Sequence, residues 1–290
     1  MTRRVRKAVL PVAGFGTRAL PGSKTTPKNM LNVVDRPILS YIVEEGRAAG
    51  IEHFVFIVSR GQNSIEDYFD HVPELEAQLA DKGKTDFLEL VQKDLPSPGQ
   101  MSFIRQMAPL GLGHAVWCAR EVIGDEPFAV MLPDMLMAAE RPALAQAIEA
   151  HERTGGGNIV VVEPAPEGET HKYGIVALDG REGRLNRMTG MVEKPPPGTE
   201  PSNLFISGRY ILSPEIFELL ERQGKGAGGE IQLTDGMAAL MKAQAFHALE
   251  YEGETYDCGD PIGLLRANVA FALRHPRFGA EARAAIEGLL

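Results

Sequence analysis

Short apolar, β-branched runs alternate with helical patterns along this chain, and the alternation constrains its fold more than any other feature. Residues 5–12 and 53–58 are predicted strands, and residues 37–50 between them form a predicted helix that begins with proline and ends with glycine. This order predicts a largely parallel sheet covered by helices on both faces. A cluster of strand patterns between residues 158 and 212 predicts an antiparallel part in a second lobe, and the pattern is helical from residue 261 onward.

The length and composition fit one elaborated α/β domain over residues 1–290. The chain is 44% hydrophobic and 24% charged, so it can bury a full core. Its formal net charge of −9 argues against nucleic-acid binding, which usually needs a basic surface. An acidic protein that binds phosphates must concentrate its cations locally.

The cysteine usage and hydropathy lead us to expect a cytoplasmic protein. Cys118 and Cys258 are the two cysteines, and they do not form a C-x-x-C motif. The apolar run that begins at Ala8 is too short for a signal peptide, and the sequence has no run of about eighteen apolar residues. We therefore expect no membrane span. No histidine pair has metal-ligand spacing, so we expect no zinc site.

A glycine loop follows the first predicted strand and could bind a nucleotide in more than one way. It lacks the G-x-x-x-x-G-K-[ST] pattern of a Walker A loop. Gly14, Gly16 and Ala19 match the dinucleotide pattern G-x-G-x-x-[G/A]. That site requires a helix directly after the glycines, whereas Pro21 and Pro27 disfavour one. An NAD(P)-binding oxidoreductase therefore stays open as a weaker alternative.

The same loop carries three cations, Arg18, Lys24 and Lys28. A dinucleotide loop relies mainly on backbone amides, whereas several cations suit a ligand with more negative charge, such as a triphosphate. The simpler alternative is a glycine turn that carries surface cations.

Eight stretches, in this order and spacing, resemble one known family. They are PVAGFGTRALP with PKNML, YIVEEG, QMAPLGLGHAV, FAVMLPD, HKYGIV, VEKPPPGTEPSN with GRYIL, GGEIQLTD, and YDCGDPIGLLRANVAFAL. In these stretches the chain resembles the bacterial UTP–glucose-1-phosphate uridylyltransferases (UDP-glucose pyrophosphorylases), a branch of the sugar-nucleotidyltransferases. The resemblance implies a three-layer, Rossmann-like nucleotidyltransferase fold. Its central sheet would be mixed and mostly parallel, flanked by helices, with a smaller β-containing sugar-side lobe and a helical C-terminus.

This resemblance also implies how the single domain is divided. Residues up to about 140 would form the nucleotide-binding half, and residues from about 141 to 260 the sugar-phosphate half. Residues from about 261 to 290 would form a helical C-terminal segment.

By the same resemblance, the glycine loop wraps the nucleotide. Ala13, Gly14 and Gly16 would contact the base and phosphates closely, and Arg18 and Lys28 would hold the triphosphate as catalytic cations. Where the family commonly has Glu after the lysine, this chain has Asn29, which argues against an acidic role at that position.

Gln106 and Gly111 match the base-reading pair of the family. An amide can both donate and accept hydrogen bonds, as the imide edge of uracil or thymine requires. Without the neighbouring motif, Gln106 would be a polar residue at a strand end. We expect His114 to lie in the first turn of a helix and not to be catalytic.

Asp134 and Asp257 match the metal ligands of the family. Asp134 follows the apolar run PFAVMLP, so it should stand at the carboxyl end of a central strand, where open α/β sheets bind ligands. Two carboxylates completed by phosphate oxygens and water suit Mg²⁺. The alternative for each is a helix cap or a turn residue. The acid often found beside Asp134 is missing here.

Gly174, Glu193 and Lys194 match the sugar-binding residues. The resemblance assigns Glu193 to the sugar hydroxyls and the catalytic Lys194 to the sugar phosphate, and Gly174 would let the sugar ring approach the backbone. If both lay in a strand, Glu193 and Lys194 would point to opposite faces and form no ion pair. Tyr173 is predicted to pack as a wall. For GGEIQLTD we predict only a glycine turn before a helix.

The implied reaction transfers a uridylyl group from UTP to glucose-1-phosphate by direct, Mg-assisted in-line attack, and gives UDP-glucose and pyrophosphate. A thymidylyltransferase or another hexose-1-phosphate nucleotidyltransferase is the nearest alternative. A catalytically silent, nucleotide-binding regulatory protein is another. The apolar C-terminal helical pattern leads us to expect a homo-oligomer, a dimer or tetramer, with no nucleic-acid or membrane partner.

Overall fold

A nine-stranded mixed sheet forms the centre of residues 3–289, which the computed structural model describes. Its strand order is β5-β4-β1-β6-β11-β8-β12-β10-β9, and two-stranded pairs β2–β3 and β7–β13 lie outside it. The strands are β1 (Lys7–Pro11), β2 (Asn32–Val33), β3 (Arg36–Pro37), β4 (His53–Val58), β5 (Met101–Arg105), β6 (Phe128–Met131), β7 (Met135–Ala138), β8 (Asn158–Pro164), β9 (Gly174–Leu178), β10 (Leu185–Glu193), β11 (Leu204–Leu212), β12 (Phe246–Glu250) and β13 (Glu254–Asp257).

The mixed character of the sheet is confirmed, but parallel pairs do not predominate. Within the described residues, four pairings of the large sheet are parallel: β5–β4, β4–β1, β1–β6 and β8–β12. Five are antiparallel: β6–β11, β11–β8, β11–β9, β12–β10 and β10–β9. The cause is two strands that run opposite to their neighbours: β11, which lies between the two parallel parts, and β10, which lies near one edge.

Strand β11 is buried along its whole length and joins the two parts of the sheet. Its register against β8 shifts between Ile206 and Tyr210, a β-bulge that contains Gly208. A Cβ on Gly208 would lie 3.0 Å from Leu132 Cβ, and its φ is +96°. The bulge thus lets the backbone approach the end of β6 closely, which bears on the functional site.

Helices cover both faces of the sheet and make it the middle of three layers. They are α1 (Ile38–Ala48), α2 (Asn63–Tyr68), α3 (Pro73–Asp81), α4 (Thr85–Gln92), α5 (Leu112–Cys118), α6 (Arg120–Ile123), α7 (Ala143–Arg153), α8 (Ile216–Arg222), α9 (Leu233–Leu240), α10 (Pro261–Arg274) and α11 (Gly279–Glu287). One core contains buried side chains from α1, α7 and α10, and the other contains side chains from α5, α8 and α9.

The strands supply alternate residues to the two cores. In β1, Ala8 and Leu10 belong to one core and Val9 to the other, and all three are fully buried. In β4, Phe54, Phe56 and Val58 belong to the first core, while Val55 and Ile57 belong to the second. This two-residue alternation explains why strands covered on both faces are uniformly apolar in sequence.

The C-terminal segment consists of two helices and not of one continuous helix. The Asp260 carboxylate accepts hydrogen bonds from the backbone N–H groups of Ile262 and Gly263, both at 2.9 Å, and so caps the start of α10. The chain turns at His275 before α11 begins. None of the described helices combines the length and apolarity that a bilayer crossing requires.

Candidate active site

The glycine loop follows β1 at the carboxyl edge of the parallel strands. The Val12 N–H donates to the Ile57 carbonyl at 3.0 Å, which ties the start of the loop to β4. Ala13 is buried and Gly14 is exposed. Gly16 has a φ of +64°, and a Cβ there would lie 2.9 Å from Lys28 Cβ. The loop therefore needs glycine at this point to fold back over Lys28.

Three short 3₁₀ turns, Thr17–Ala19, Gly22–Lys24 and Lys28–Met30, follow the glycines. The prediction that no continuous helix follows them is confirmed. A dinucleotide site of the Rossmann type requires such a helix, so this geometry does not support the oxidoreductase alternative. Asn29, in the last turn, is buried, and its two side-chain polar atoms have no hydrogen-bond partner among the described residues.

Asp134 lies directly before β7 and is surrounded by two cations from the loop. Lys28 Nζ lies 2.6 Å from Asp134 Oδ2, and an Arg18 guanidinium nitrogen lies 3.6 Å from the same oxygen. Burial by itself would raise the pKa of Asp134, but the Lys28 ammonium and the Arg18 guanidinium hold it below its usual range. The carboxylate is therefore ionised, and Lys28 is held beside it.

Asp257 is the last residue of β13, and the β7–β13 pairing brings it next to Asp134. Met135 is the register partner of Asp257. Arg18 Nη1 lies 3.3 Å from Asp257 Oδ2, and the Gly259 N–H donates to the other carboxylate oxygen at 2.8 Å. Burial and the charge of Asp134 raise the pKa of Asp257, and Arg18 only partly offsets them. Two carboxylates and two cations thus share one site.

This donor set fits a hard divalent cation. Within residues 3–289 there is no cluster of three or more His, Cys, Asp or Glu side chains that could hold a metal. Burial, and after it the negative charge of Asp134, raise the pKa of Asp257, and a cation bound to both carboxylates would offset both effects. Two carboxylates completed by phosphate oxygens and water suit Mg²⁺ better than a closed protein cage would.

Gln106 follows β5 at the same edge of the sheet. Its backbone N–H donates to the Val58 carbonyl at 2.8 Å, and its side-chain Nε2 donates to the Gly111 carbonyl at 3.1 Å. Gly111 has a φ of +103°, and a Cβ there would lie 2.7 Å from Glu230 Cβ. His114 lies near the start of α5, as predicted, and contacts the Gln106 amide. The structure thus brings the predicted base-reading pair together.

Glu193 and Gly174 are register partners on β10 and β9. A Cβ on Gly174 would lie 3.1 Å from Glu193 Oε2, so glycine leaves the carboxylate room. The same oxygen accepts a hydrogen bond of 2.8 Å from the Thr234 hydroxyl. Strand pairing with Gly174 therefore fixes the backbone of Glu193, and the Thr234 hydroxyl holds its carboxylate.

The prediction that Glu193 and Lys194 form no ion pair is wrong. Lys194 Nζ lies 3.7 Å from Glu193 Oε1. The strand ends at Glu193, and Lys194 adopts a left-handed backbone conformation with a φ of +48° that breaks the alternation of side chains. The side chain of Lys194 is 57% exposed, so its ammonium stays accessible to an anion.

The GGEIQLTD segment contributes more than the glycine turn and helix start that the sequence predicts. The Ile231 N–H donates to the Leu110 carbonyl at 2.7 Å, and the Ile231 carbonyl accepts from the Gly113 N–H at 2.8 Å. Three residues later, Thr234 bonds to Glu193. The segment connects the Gln106 side of the site to the Glu193 side. In the sequence, only the match of GGEIQLTD to the family indicated that this segment contributes to the site.

Two tyrosines show that the sugar-side residues and the carboxylate pair are close. Burial raises the pKa of Tyr210, and so do the charges of Glu193 and Asp134. Burial also raises the pKa of Tyr173, with a contribution from Asp257. Tyr173 packs against Phe205 with ring centroids 4.5 Å apart, as expected of a wall residue. The predicted sugar-side residue Glu193 and the carboxylates Asp134 and Asp257 thus act on the same two tyrosines.

Comparison with known proteins points to the same chemistry. The family model described as nucleotidyl transferase matches residues 7–273. A Bacillus subtilis (strain 168) protein named UTP–glucose-1-phosphate uridylyltransferase is 48% identical over 288 residues, which is 99% of this chain and 98% of that protein.

Two solved structures match in fold along nearly the whole chain. UTP-bound UGPase from Acinetobacter baumannii has a TM-score of 0.91 and 41% identity, and covers 99% of this chain and 100% of its own. A UDP-glucose pyrophosphorylase complexed with UDP-glucose has a TM-score of 0.83 and 35% identity, over 93% of this chain and 100% of its own. The chain belongs to the nucleotidyl transferase family, among the UTP–glucose-1-phosphate uridylyltransferases.

Proposed function

We propose that the protein transfers the uridylyl group of UTP to glucose-1-phosphate and forms UDP-glucose and pyrophosphate. The observation that supports the proposal is the cluster of two carboxylates, Asp134 and Asp257, with the cations of Lys28 and Arg18. The names of the relatives support it, since one related structure is bound to UTP and another to UDP-glucose.

The chemistry requires alignment and charge neutralisation more than proton transfer. A phosphate oxygen of the sugar-1-phosphate attacks the α-phosphorus of UTP in line. The new O–P bond forms as the bond to the β-phosphate oxygen breaks, and the electron pair leaves with pyrophosphate. Because the attacking phosphate is already an anion, no general base is needed and no covalent enzyme intermediate forms.

Three cations have two roles in this scheme. Lys28 and Arg18 neutralise the triphosphate and the departing pyrophosphate, while Lys194 positions the attacking sugar phosphate. The exposed fractions of Arg18 and Lys194 are 58% and 57%, so both can reach a ligand. A chain of net charge −9 can bind two polyanions because these cations are concentrated at one site.

The remaining residues recognise the base and the sugar. Gln106 and Gly111 contact the base, and the backbone of Ala13, Gly14 and Gly16 approaches the nucleotide. On the other side, Glu193 accepts hydrogen bonds from the sugar hydroxyls. Gly174 keeps the sugar close to the backbone, because its missing side chain leaves space beside Glu193.

Asp134 and Asp257 would hold Mg²⁺, which when bound neutralises phosphate charge and aligns the reacting oxygens. The Arg18 guanidinium lies near both carboxylates and offsets part of their charge. Both carboxylates remain available because Arg18 is more than half exposed and can turn toward phosphate.

We also propose that the protein is a cytoplasmic homo-oligomer. Ile262 and Leu265 on α10 are 61% and 59% exposed. Leu265, Val269 and Leu273 line part of a groove of about 670 Å³. Exposed apolar side chains of this size favour association. Sedimentation of the purified protein would measure the number of subunits, and a monomer at micromolar concentration would contradict this part of the proposal.

The decisive experiment measures pyrophosphate release from UTP or dTTP with glucose-1-phosphate or galactose-1-phosphate, each with Mg²⁺ and with a chelator. We expect metal-dependent release that is strongest with UTP and glucose-1-phosphate. A preference for dTTP would indicate the thymidylyltransferase alternative, since Gln106 contacts an edge that thymine shares with uracil. UTP binding without release from any pair would indicate a regulatory protein.

A further inference from the structure

The side-chain amide of Gln106 uses both of its hydrogens inside the protein. Nε2 lies 3.1 Å from the Gly111 carbonyl oxygen and 3.0 Å from His114 Nδ1. A primary amide carries two N–H donors on nitrogen and two acceptor lone pairs on oxygen. With both donors engaged, Oε1 is left as the available polar atom, and none of the hydrogen bonds among residues 3–289 uses it. The amide can therefore accept from a base but has no free donor, in contrast to the expectation from the sequence that it does both.

His114 Nδ1 is the hydrogen-bond acceptor in its contact with the Gln106 amide. Its Nδ1 faces the Gln106 amide at 3.0 Å and the Cys118 thiol at 3.8 Å, and both groups are donors. Burial raises the pKa of the Cys118 thiol, so it keeps its proton, and burial lowers the pKa of His114, so the ring stays neutral. Nδ1 therefore carries the lone pair and Nε2 the proton.

The His114 ring is held by a contact within helix α5. The ring packs against Trp117 with centroids 5.6 Å apart. Gly111, whose carbonyl is the other acceptor for Gln106, is the N-cap residue of α5. Both acceptors thus belong to one rigid element. They hold the amide in one of its two orientations before any ligand arrives.

We propose that His114 is a specificity-determining residue: together with the Gly111 carbonyl it fixes the Gln106 amide with Oε1 toward the base, and so selects pyrimidines that carry N3–H. The inference rests on the proposed function, in which Gln106 contacts the base. Uracil and thymine donate from N3, whereas N3 of cytosine is an acceptor and would meet the lone pairs of Oε1. The reversed amide would suit cytosine, but it would lose both internal hydrogen bonds.

Three variants test this role through the ratio of kcat/KM for UTP to that for CTP, measured with glucose-1-phosphate. His114→Leu keeps a helix-forming side chain but removes the acceptor. His114→Gln restores an acceptor oxygen at the same position. Gln106→Ala removes the base contact itself. Circular dichroism and thermal unfolding establish that each variant is folded.

We expect His114→Leu to lower the UTP/CTP ratio by about tenfold, the worth of one buried hydrogen bond, through a higher KM for UTP. We expect His114→Gln to retain most of the selectivity and Gln106→Ala to lose it. A folded His114→Leu variant whose ratio stays within about twofold of the wild type would overturn the inference. No UDP-glucose from the wild-type protein would instead overturn the proposed function, and an unchanged ratio in Gln106→Ala would overturn the base contact.

A measurement on the wild-type protein keeps the inference testable if His114→Leu does not fold. The ¹⁵N chemical shifts of the His114 ring distinguish a protonated nitrogen from one with a free lone pair. We expect the lone pair on Nδ1 and the proton on Nε2. A protonated Nδ1 at neutral pH could not accept from Gln106, and that result would overturn the inference.

Discussion

The backbone N–H of Cys258 donates to the carbonyl oxygen of Asp134 at 2.7 Å. This hydrogen bond lies beside the register pair Met135 with Asp257, at one end of the antiparallel β7–β13 pairing. It fixes the backbones of Asp134 and Asp257 relative to each other, although the two residues lie far apart in the sequence. The spacing of the two carboxylates is therefore set by backbone pairing and not by their own side chains.

Replacing Lys28 by methionine tests the cation beside Asp134. The ammonium lies 2.6 Å from Asp134 Oδ2, and its side chain is only 19% exposed. We expect kcat/KM for UTP to fall on the order of a hundredfold, because a charge that stabilises the departing pyrophosphate is lost from a partly buried site. Steady-state kinetics of pyrophosphate release would measure the effect.

Lys24→Met is the matched control, because Lys24 is in the same loop but is exposed. We expect its kcat/KM to stay within about threefold of the wild type. Equal losses in the two variants would show that the net charge of the loop matters and that the contact of Lys28 with Asp134 does not.

Asp257→Asn should separate stability from activity. Burial and the neighbouring Asp134 raise the pKa of Asp257, so its charged form costs folding free energy at neutral pH in the metal-free protein. We expect the free energy of unfolding of the variant, measured with a chelator present, to be higher by about 1 kcal/mol. We also expect the variant to lose nearly all activity. Urea denaturation at pH 7 would measure the first effect. A variant less stable than the wild type would contradict the repulsion between the carboxylates.

Thr234→Val tests whether the GGEIQLTD segment positions Glu193. Valine keeps the shape of the side chain but removes the hydroxyl that donates to Glu193 Oε2 at 2.8 Å. We expect KM for glucose-1-phosphate to rise about tenfold with little change in KM for UTP. Thr234→Ser, which keeps the hydroxyl, should restore the wild-type value. If serine and valine behave alike, the hydroxyl has no role in positioning.

Arg209→Met tests a buried ion pair behind the Asp134 segment. The Arg209 side chain is fully buried, and Nη2 lies 2.6 Å from Glu45 Oε2. Its guanidinium also donates to the carbonyls of Leu132 and Met135, both at 3.0 Å, on either side of Asp134. We expect the free energy of unfolding to fall by about 3–5 kcal/mol, since Glu45 is left as an unpaired buried charge. Urea denaturation would measure this loss.

Arg222→Met provides the control for that measurement. Arg222 pairs with Glu218 at 3.6 Å, but both side chains are more than 70% exposed, at 78% and 75%. We expect a change below about 1 kcal/mol, because water already solvates both charges. A comparable loss in the control would mean that replacing arginine by methionine destabilises the protein regardless of burial.

The strands and helices of the sheet were predictable where the apolar pattern is strong. The predicted strand at residues 53–58 coincides with β4, and the predicted helix at 37–50 contains α1. Both elements pack against the core, so the apolar residues of the sequence pattern are the residues that are buried. The direction of β11 was not predictable, because an apolar run has the same pattern whichever way the strand enters the sheet.

The site was predictable as a set of residues but not as a set of contacts. The sequence identified Asp134, Asp257 and Lys28 through their motifs, and the structure places them together. It did not indicate the contact of Thr234 with Glu193, since residues on separate elements meet only when the sheet has formed. The prediction that Glu193 and Lys194 form no ion pair was wrong, because no local sequence pattern predicts the left-handed φ of Lys194.

The sequence by itself determined the α/β class, the glycine loop that cannot continue as a helix, and the residue types available for binding phosphate, base and sugar. These properties follow from local periodicity, proline and glycine positions, and side-chain chemistry. Only the tertiary structure decided which of these groups touch. Arg18 acquired two carboxylate partners and Gln106 a fixed amide orientation because strand pairing and helix packing bring distant segments within hydrogen-bond distance. A hydrogen bond depends on separations of a few tenths of an ångström, and the linear order of residues does not set those separations.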